Sequence, residues 1–70
     1  MVVNMDKVIK TEIIEKFMEE NKLSEEKFCK TCNISINTLK KILTNDLNFE
    51  IQAIFKISRR MGVKVFEFFN

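Results

Sequence analysis

Apolar residues recur along this chain at spacings of three and four, the signature of helices that bury one stripe. From Asp6 to Asn21 the stripe is Ile9, Ile13, Ile14 and Phe17. Lys10, Glu12, Glu15, Lys16, Glu19 and Glu20 form the solvated opposite face, with charge pairs four residues apart. Asn4 or Asp6 is the expected cap of this first helix. A second helix is expected from about 25 to 32, with Ser24 as its cap and with Glu25 and Glu26 in the first turn, where carboxylates favour the helix dipole. Its apolar face is Phe28, Cys29 and Cys32.

Asn33 follows, a residue type that tolerates the left-handed turn needed to leave a helix. Ser35 then caps a third helix, Ile36 to about Leu43, with Leu39 and Ile42 facing inward. Thr44-Asn45-Asp46-Leu47-Asn48 reads as a loop. A fourth helix is expected from Glu50 to Met61, with Ile51, Ile54, Phe55, Ile57, Ser58 and Met61 on or near its buried face and Gly62 as its stop. Val63 to Phe69 is expected as a short fifth helix, although its β-branched and aromatic residues also suit a strand.

Composition narrows the choice further. Seventy residues make one domain, and a domain of this size buries only roughly 60% of its unfolded surface. With no Pro and one Gly, hairpins and sandwiches are disfavoured, so the fold class expected is all-α, with five helices. The absence of His removes His-based metal sites and His general-base catalysis. No Gly-rich phosphate loop or nucleophile–base pair can be named either, so neither an enzyme, a cofactor nor a small-molecule substrate is expected. No apolar run approaches the ~20 residues that cross a membrane, and the first residues do not read as a secretory signal, so a cytoplasmic protein is expected. The net charge of +2 is compatible with nucleic acid without pointing to it.

Cys29 and Cys32 stand in a C-x-x-C spacing. Zinc would need two further ligands, and a thioredoxin-like site would need a strand and a sheet around it. Three apart on a helix, the two side chains lean the same way, which suits a disulfide poorly. They are expected as small buried residues in a reduced compartment.

The informative unit is helix, tight turn, helix, from Ser24 to Leu43. Cys32-Asn33-Ile34 is short enough to hold the two helices at a steep angle, as a helix-turn-helix requires. The side of the third helix away from Leu39 and Ile42 carries Ile36, Asn37, Lys40, Lys41 and Thr44. A helix of this kind can enter the DNA major groove.

These residues resemble the helix-turn-helix domain of the Cro and lambda-repressor class, also called the xenobiotic-response-element family. The resemblance spans roughly Ile14 to Phe68. Leu23-Ser24-Glu25-Glu26-Lys27-Phe28-Cys29 is similar to the family's second helix, with Phe28 at a Leu position and Cys29 at a small Ala position. Asn33 stands where the family usually has Gly, and Ile34-Ser35 matches the approach to the recognition helix. Ile51 to Ser58 resembles the fourth helix, and Met61-Gly62-Val63 the family's Leu-Gly-Val.

The resemblance implies five helices and transcriptional control through double-stranded DNA, so a regulator of repressor type is expected. One such module meets too few bases to specify a site, so a homodimer on a palindrome is expected. The resemblance also implies base reading by Ile36, Asn37 and Lys41, and phosphate contacts at or near Ser24, Glu25, Ser35, Thr38, Thr44 and Asn45. Lys40 is added as a phosphate or guanine contact from its place on the same helix. Two departures stand out. Glu25 occupies a position where the family often has Gln, and Met18 lies near a frequent Arg. Glu25, Glu26 and the low net charge favour a second function: a protein-interaction module that modulates another regulator. Val65, Phe66, Phe68 and Phe69 cannot all be buried in so small a domain. Val65, Phe66 and Phe69 are therefore the expected dimer contact, since an exposed apolar patch usually marks a partner surface. Arg59 and Arg60 complement the dipole at the end of the fourth helix.

Overall fold

Each helix begins and ends where the local chemistry allows it. The computed structural model describes residues 8–69. Within them lie α1 (Thr11–Glu20), α2 (Glu25–Cys32), α3 (Ile36–Leu43) and α4 (Ile51–Met61), then one 3-10 turn, Val65–Phe68. Ser24 and Ser35 cap α2 and α3, their hydroxyl oxygens accepting from the backbone N–H groups of Lys27 and Thr38. Asn33 ends α2 in the left-handed conformation at φ 61°. Gly62 ends α4 in the same way at φ 72°, where a side chain would be strained.

The four helices share one core. Ile14 and Met18 come from α1, Phe28, Cys29 and Cys32 from α2, Leu39 and Ile42 from α3, and Ala53, Ile54 and Ile57 from α4. Ile9 and Phe68 close it from the two ends of the described chain. Eight of the large side chains are fully buried, and each contributes roughly 1.5–3 kcal/mol relative to exposure. Phe17 and Phe28 meet edge to face with centroids 6.0 Å apart, which ties α1 to α2. Among the described residues Ser58 is the one buried polar residue, and its hydroxyl donates to the Phe55 carbonyl at 2.9 Å.

The fold departs from the expected one at both ends. The first helix starts at Thr11 instead of Asp6, and the expected caps Asn4 and Asp6 lie outside the described residues. Ile9 is buried, as its place in the stripe predicts, but in extended backbone that forms an antiparallel bridge with Phe69. The Lys10 N–H donates to the Phe68 carbonyl at 2.7 Å. Among the described residues no fifth α-helix forms. The segment from Val63 to Phe69 makes a single 3-10 turn, Val65–Phe68, and then extends into an isolated bridge at Phe69, so neither the expected α-helix nor a strand forms there. β-Branched Val63 and Val65 disfavour a longer helix, and the bridge to Ile9 draws Phe69 into extended backbone.

Two assignments within the helices change as well. Ile51 and Phe55, expected on or near the buried face of α4, are exposed. Their neighbours Ala53, Ile54, Ile57 and Ser58 take the core positions. On α1 Met18 is buried beside Ile14, while Ile13 and Phe17 pack at the margin of the core.

Candidate nucleic-acid interface

The geometry of the turn between α2 and α3 follows from its backbone bonds. With Asn33 left-handed, the Ile34 N–H reaches back to the Cys29 carbonyl at 3.0 Å, and the Asn33 N–H to the Lys30 carbonyl at 3.3 Å. Paired bonds of this kind satisfy the last carbonyls of a helix and fix the direction in which the chain leaves. Three further contacts hold the turn. The Cys29 thiol donates to the Ser35 carbonyl at 3.6 Å, Ile34 packs against the core, and Lys56 of α4 donates from Nζ to the Asn33 carbonyl at 3.2 Å. α3 is therefore presented at an angle fixed from two sides.

On α3, Leu39 and Ile42 are fully buried. Asn37, Lys40 and Thr44 are exposed and Lys41 is partly so. Spacings of three, four and seven residues put these four on one face of the helix, away from the core. Ile36 does not join them fully. It is half-buried and packs against the core, so little of it is left for a base.

The hydroxyls around this face differ in what they can still give. Ser24 accepts from the Lys27 N–H at 3.2 Å and keeps its own O–H free to donate. Ser35 accepts from the Thr38 N–H at 3.1 Å, and its Oγ lies 2.8 Å from Thr38 Oγ1, so one O–H of this pair remains free. Thr44 donates its hydroxyl hydrogen to the Lys40 carbonyl at 2.8 Å. In this arrangement it offers only lone pairs, which a phosphate cannot use. Asn45 is engaged elsewhere: its carbonyl oxygen accepts the Ile9 N–H at 2.7 Å, and its amide donates to the Ile9 carbonyl at 3.3 Å. Its side chain is thus turned to the Ile9 backbone, with one amide N–H spent there. Glu25 is exposed in the first turn of α2, beside Glu26.

Two residues near this face gave no signal in the sequence as partners of distant backbone: Asn45 and Lys56. Each reaches a carbonyl or amide more than twenty positions away. Lys56 also joins Arg59 and Arg60 around a cleft of about 430 Å³ beside the end of α2, with Thr31, Cys32 and Asn33 on the opposite wall. A second cleft of about 230 Å³ separates Ser35 and Thr38 from Glu50 and Gln52.

Both cysteines are free and buried. Burial pushes the Cys32 thiol up to about 11, with the Arg60 guanidinium pulling the other way and Cys29 adding to the rise. Cys29 is raised too, first by burial and then by the Glu25 carboxylate. Both stay protonated at neutral pH, whereas the thiolate is the nucleophile and metal ligand. No group of three or more metal-ligating side chains occurs among the described residues.

The expected dimer residues Val65, Phe66 and Phe69 do not form one exposed patch. Phe66 is exposed, with Lys64 Nζ 5.9 Å from its ring centroid. Val65 is half-buried against the core, and Phe69 is half-buried in the bridge to Ile9. Among the described residues no helix is long and apolar enough to cross a membrane. Comparison of the chain with protein-family models, curated proteins and solved structures gives no match.

Proposed function

We propose that this chain is a DNA-binding transcriptional regulator that lays α3 in the major groove and works as a homodimer. The observation that carries the reading is the outward face of Asn37, Lys40 and Lys41, mounted on a helix whose angle is fixed by the left-handed Asn33 turn and by Lys56. Asn37 can place its amide bidentately on adenine, and Lys41 can donate to the acceptors of guanine. Lys40, with the free hydroxyl hydrogens at Ser24 and at Ser35–Thr38, supplies phosphate contacts that set the register. One such module meets too few bases to specify a site. Two modules on a palindrome would read half-sites roughly 34–36 Å apart.

The test is fluorescence anisotropy with random duplex DNA at low and moderate salt. The affinity is expected to fall steeply with salt, because the slope counts the phosphates neutralised. Absence of binding at low salt would refute the reading. A second reading is favoured by exposed Glu25 and Glu26, two carboxylates where a phosphate would otherwise dock. In it the same scaffold binds a protein and modulates another regulator. Retention of a partner protein by the wild-type chain, lost when Glu25 and Glu26 are replaced by Gln, would support it.

A further inference from the structure

Lys56, Arg59 and Arg60 stand at spacings of three and four on α4, so they share one side of that helix. They form one wall of the cleft of about 430 Å³ beside the end of α2, faced by Thr31, Cys32 and Asn33. No carboxylate is among the residues that line it. Glu50 lines the neighbouring cleft instead, with Ser35 and Thr38. The Cys32 thiol is buried and protonated, so it adds no charge. Like charges held on one side of a cleft repel one another, and an anion between them turns that repulsion into attraction.

The ends of α2 and α4 do not use up this charge. Each helix end carries roughly half a negative charge, whereas each of the three side chains carries a full positive one. The carbonyls there are also partnered. The Lys30 carbonyl accepts the Asn33 N–H, and the Ser58 carbonyl accepts the N–H groups of Gly62 and Val63. The Asn33 carbonyl accepts from Lys56 Nζ, which keeps further N–H groups for a ligand. Thr31 adds no donor, because its hydroxyl hydrogen goes to the Lys27 carbonyl. The two guanidinium groups are rigid forks of N–H donors that match phosphate oxygens in pairs. From Lys56 to Arg60 the helix rises about 6 Å, a span on the order of two linked phosphate groups and too short for the spaced carboxylates of an acidic peptide. We propose that this cleft binds a small anion carrying two adjacent phosphate groups, held by Lys56, Arg59 and Arg60. A concave space of a few hundred cubic ångströms suits a ligand of that size. The site goes beyond the proposed function and uses none of the outward residues of α3. Ser24, at the far end of α2, is about 12 Å away along that helix.

The full chain is titrated with inorganic diphosphate at constant ionic strength, and its backbone amides are followed by NMR. Saturable shifts clustered at Asn33, Lys56, Arg59 and Arg60 are expected. Inorganic phosphate and succinate should bind at least about tenfold more weakly, since each loses charge-assisted contacts. Arg59→Gln and Arg60→Gln, both at exposed positions, should each weaken diphosphate binding by about tenfold with unchanged far-UV circular dichroism. Lys16→Gln, an exposed charge on α1, should leave the affinity as in wild type. A nucleoside diphosphate that binds more tightly than inorganic diphosphate would make the ligand a nucleotide, and equal binding a free polyphosphate; both keep the assignment. Four results would overturn it: no saturable shift at the cleft, equal affinity for succinate or inorganic phosphate, equal weakening by Lys16→Gln, or cleft amides that move with random duplex DNA and not with diphosphate. DNA binding to α3, measured by anisotropy with Arg59→Gln and Arg60→Gln beside wild type, stands or falls independently of this site.

Discussion

Asn45 grips the backbone of Ile9 from both sides, accepting its N–H at 2.7 Å and donating to its carbonyl at 3.3 Å. Thirty-six residues separate the two. Asn45 itself is left-handed at φ 60°, just past the end of α3. The loop that ends the candidate recognition helix is therefore also the clamp that holds the N-terminal segment in its bridge with Phe69. Asn45→Ala removes both bonds and leaves a buried N–H and carbonyl with fewer partners. The expected loss is about 1–3 kcal/mol, or a fall in Tm of roughly 4–8 °C per kcal/mol. Slower exchange of the Ile9 amide in wild type than in the variant, by NMR, would locate the effect. Equal Tm values would show that the clamp contributes nothing.

The caps of the turn allow a second prediction. Ser35 holds the Thr38 N–H and pairs with the Thr38 hydroxyl, so Ser35→Ala removes two contacts at once. A cost of about 0.5–2 kcal/mol in thermal melts is expected. Ser24→Ala removes one contact and should cost less. The reverse order would mean that the pairing with Thr38 adds no stability.

Much of this architecture could be read from residue types, and the reason is that its signals are local. Ser24, Asn33, Ser35 and Gly62 act on backbone within four or five positions, and each is found at the helix end where its chemistry places it. The outward face of α3 was legible for the same reason, since a period of 3.6 fixes which residues oppose Leu39 and Ile42. The misreadings arise from contacts between distant residues. Periodicity placed Ile9 on the first helix, yet its backbone is held by Asn45 and by the neighbours of Phe69. Periodicity also placed Ile51 and Phe55 on or near the core. The core-facing arc of α4 is narrower than its apolar arc, and Ala53, Ile54, Ile57 and Ser58 fill it.

If α3 reads DNA, its residues separate into two behaviours. Asn37→Ala should relax preference at one base pair, at a cost of about 1–3 kcal/mol on the preferred site. Lys40→Ala should weaken binding to all sequences alike and lower the salt slope by roughly 0.9. Both are read by anisotropy on the preferred site and on random duplex. A loss of sequence preference on changing Lys40, with none on changing Asn37, would reverse the assigned roles.

The buried thiol of Cys32 links stability to pH. Its folded value of about 11 lies above the ordinary 9.0, because burial penalises the thiolate. A raised value means that the folded state holds the proton more tightly than the unfolded chain does. The stability this gives is fully present below pH 9 and is lost as pH rises from about 9 through 11. Two pH units correspond to about 2–3 kcal/mol at most. Lysines titrate in the same range, so the quantity to measure is the difference between wild type and Cys32→Ala in urea unfolding. The variant should be less stable at pH 7 because of the cavity it leaves, and that gap should narrow as pH approaches 11. At neutral pH the same thiol should react with a water-soluble disulfide reagent only when the chain unfolds. A gap that stays constant with pH, or rapid labelling of the folded chain, would mean that Cys32 is not held as a protonated, buried thiol.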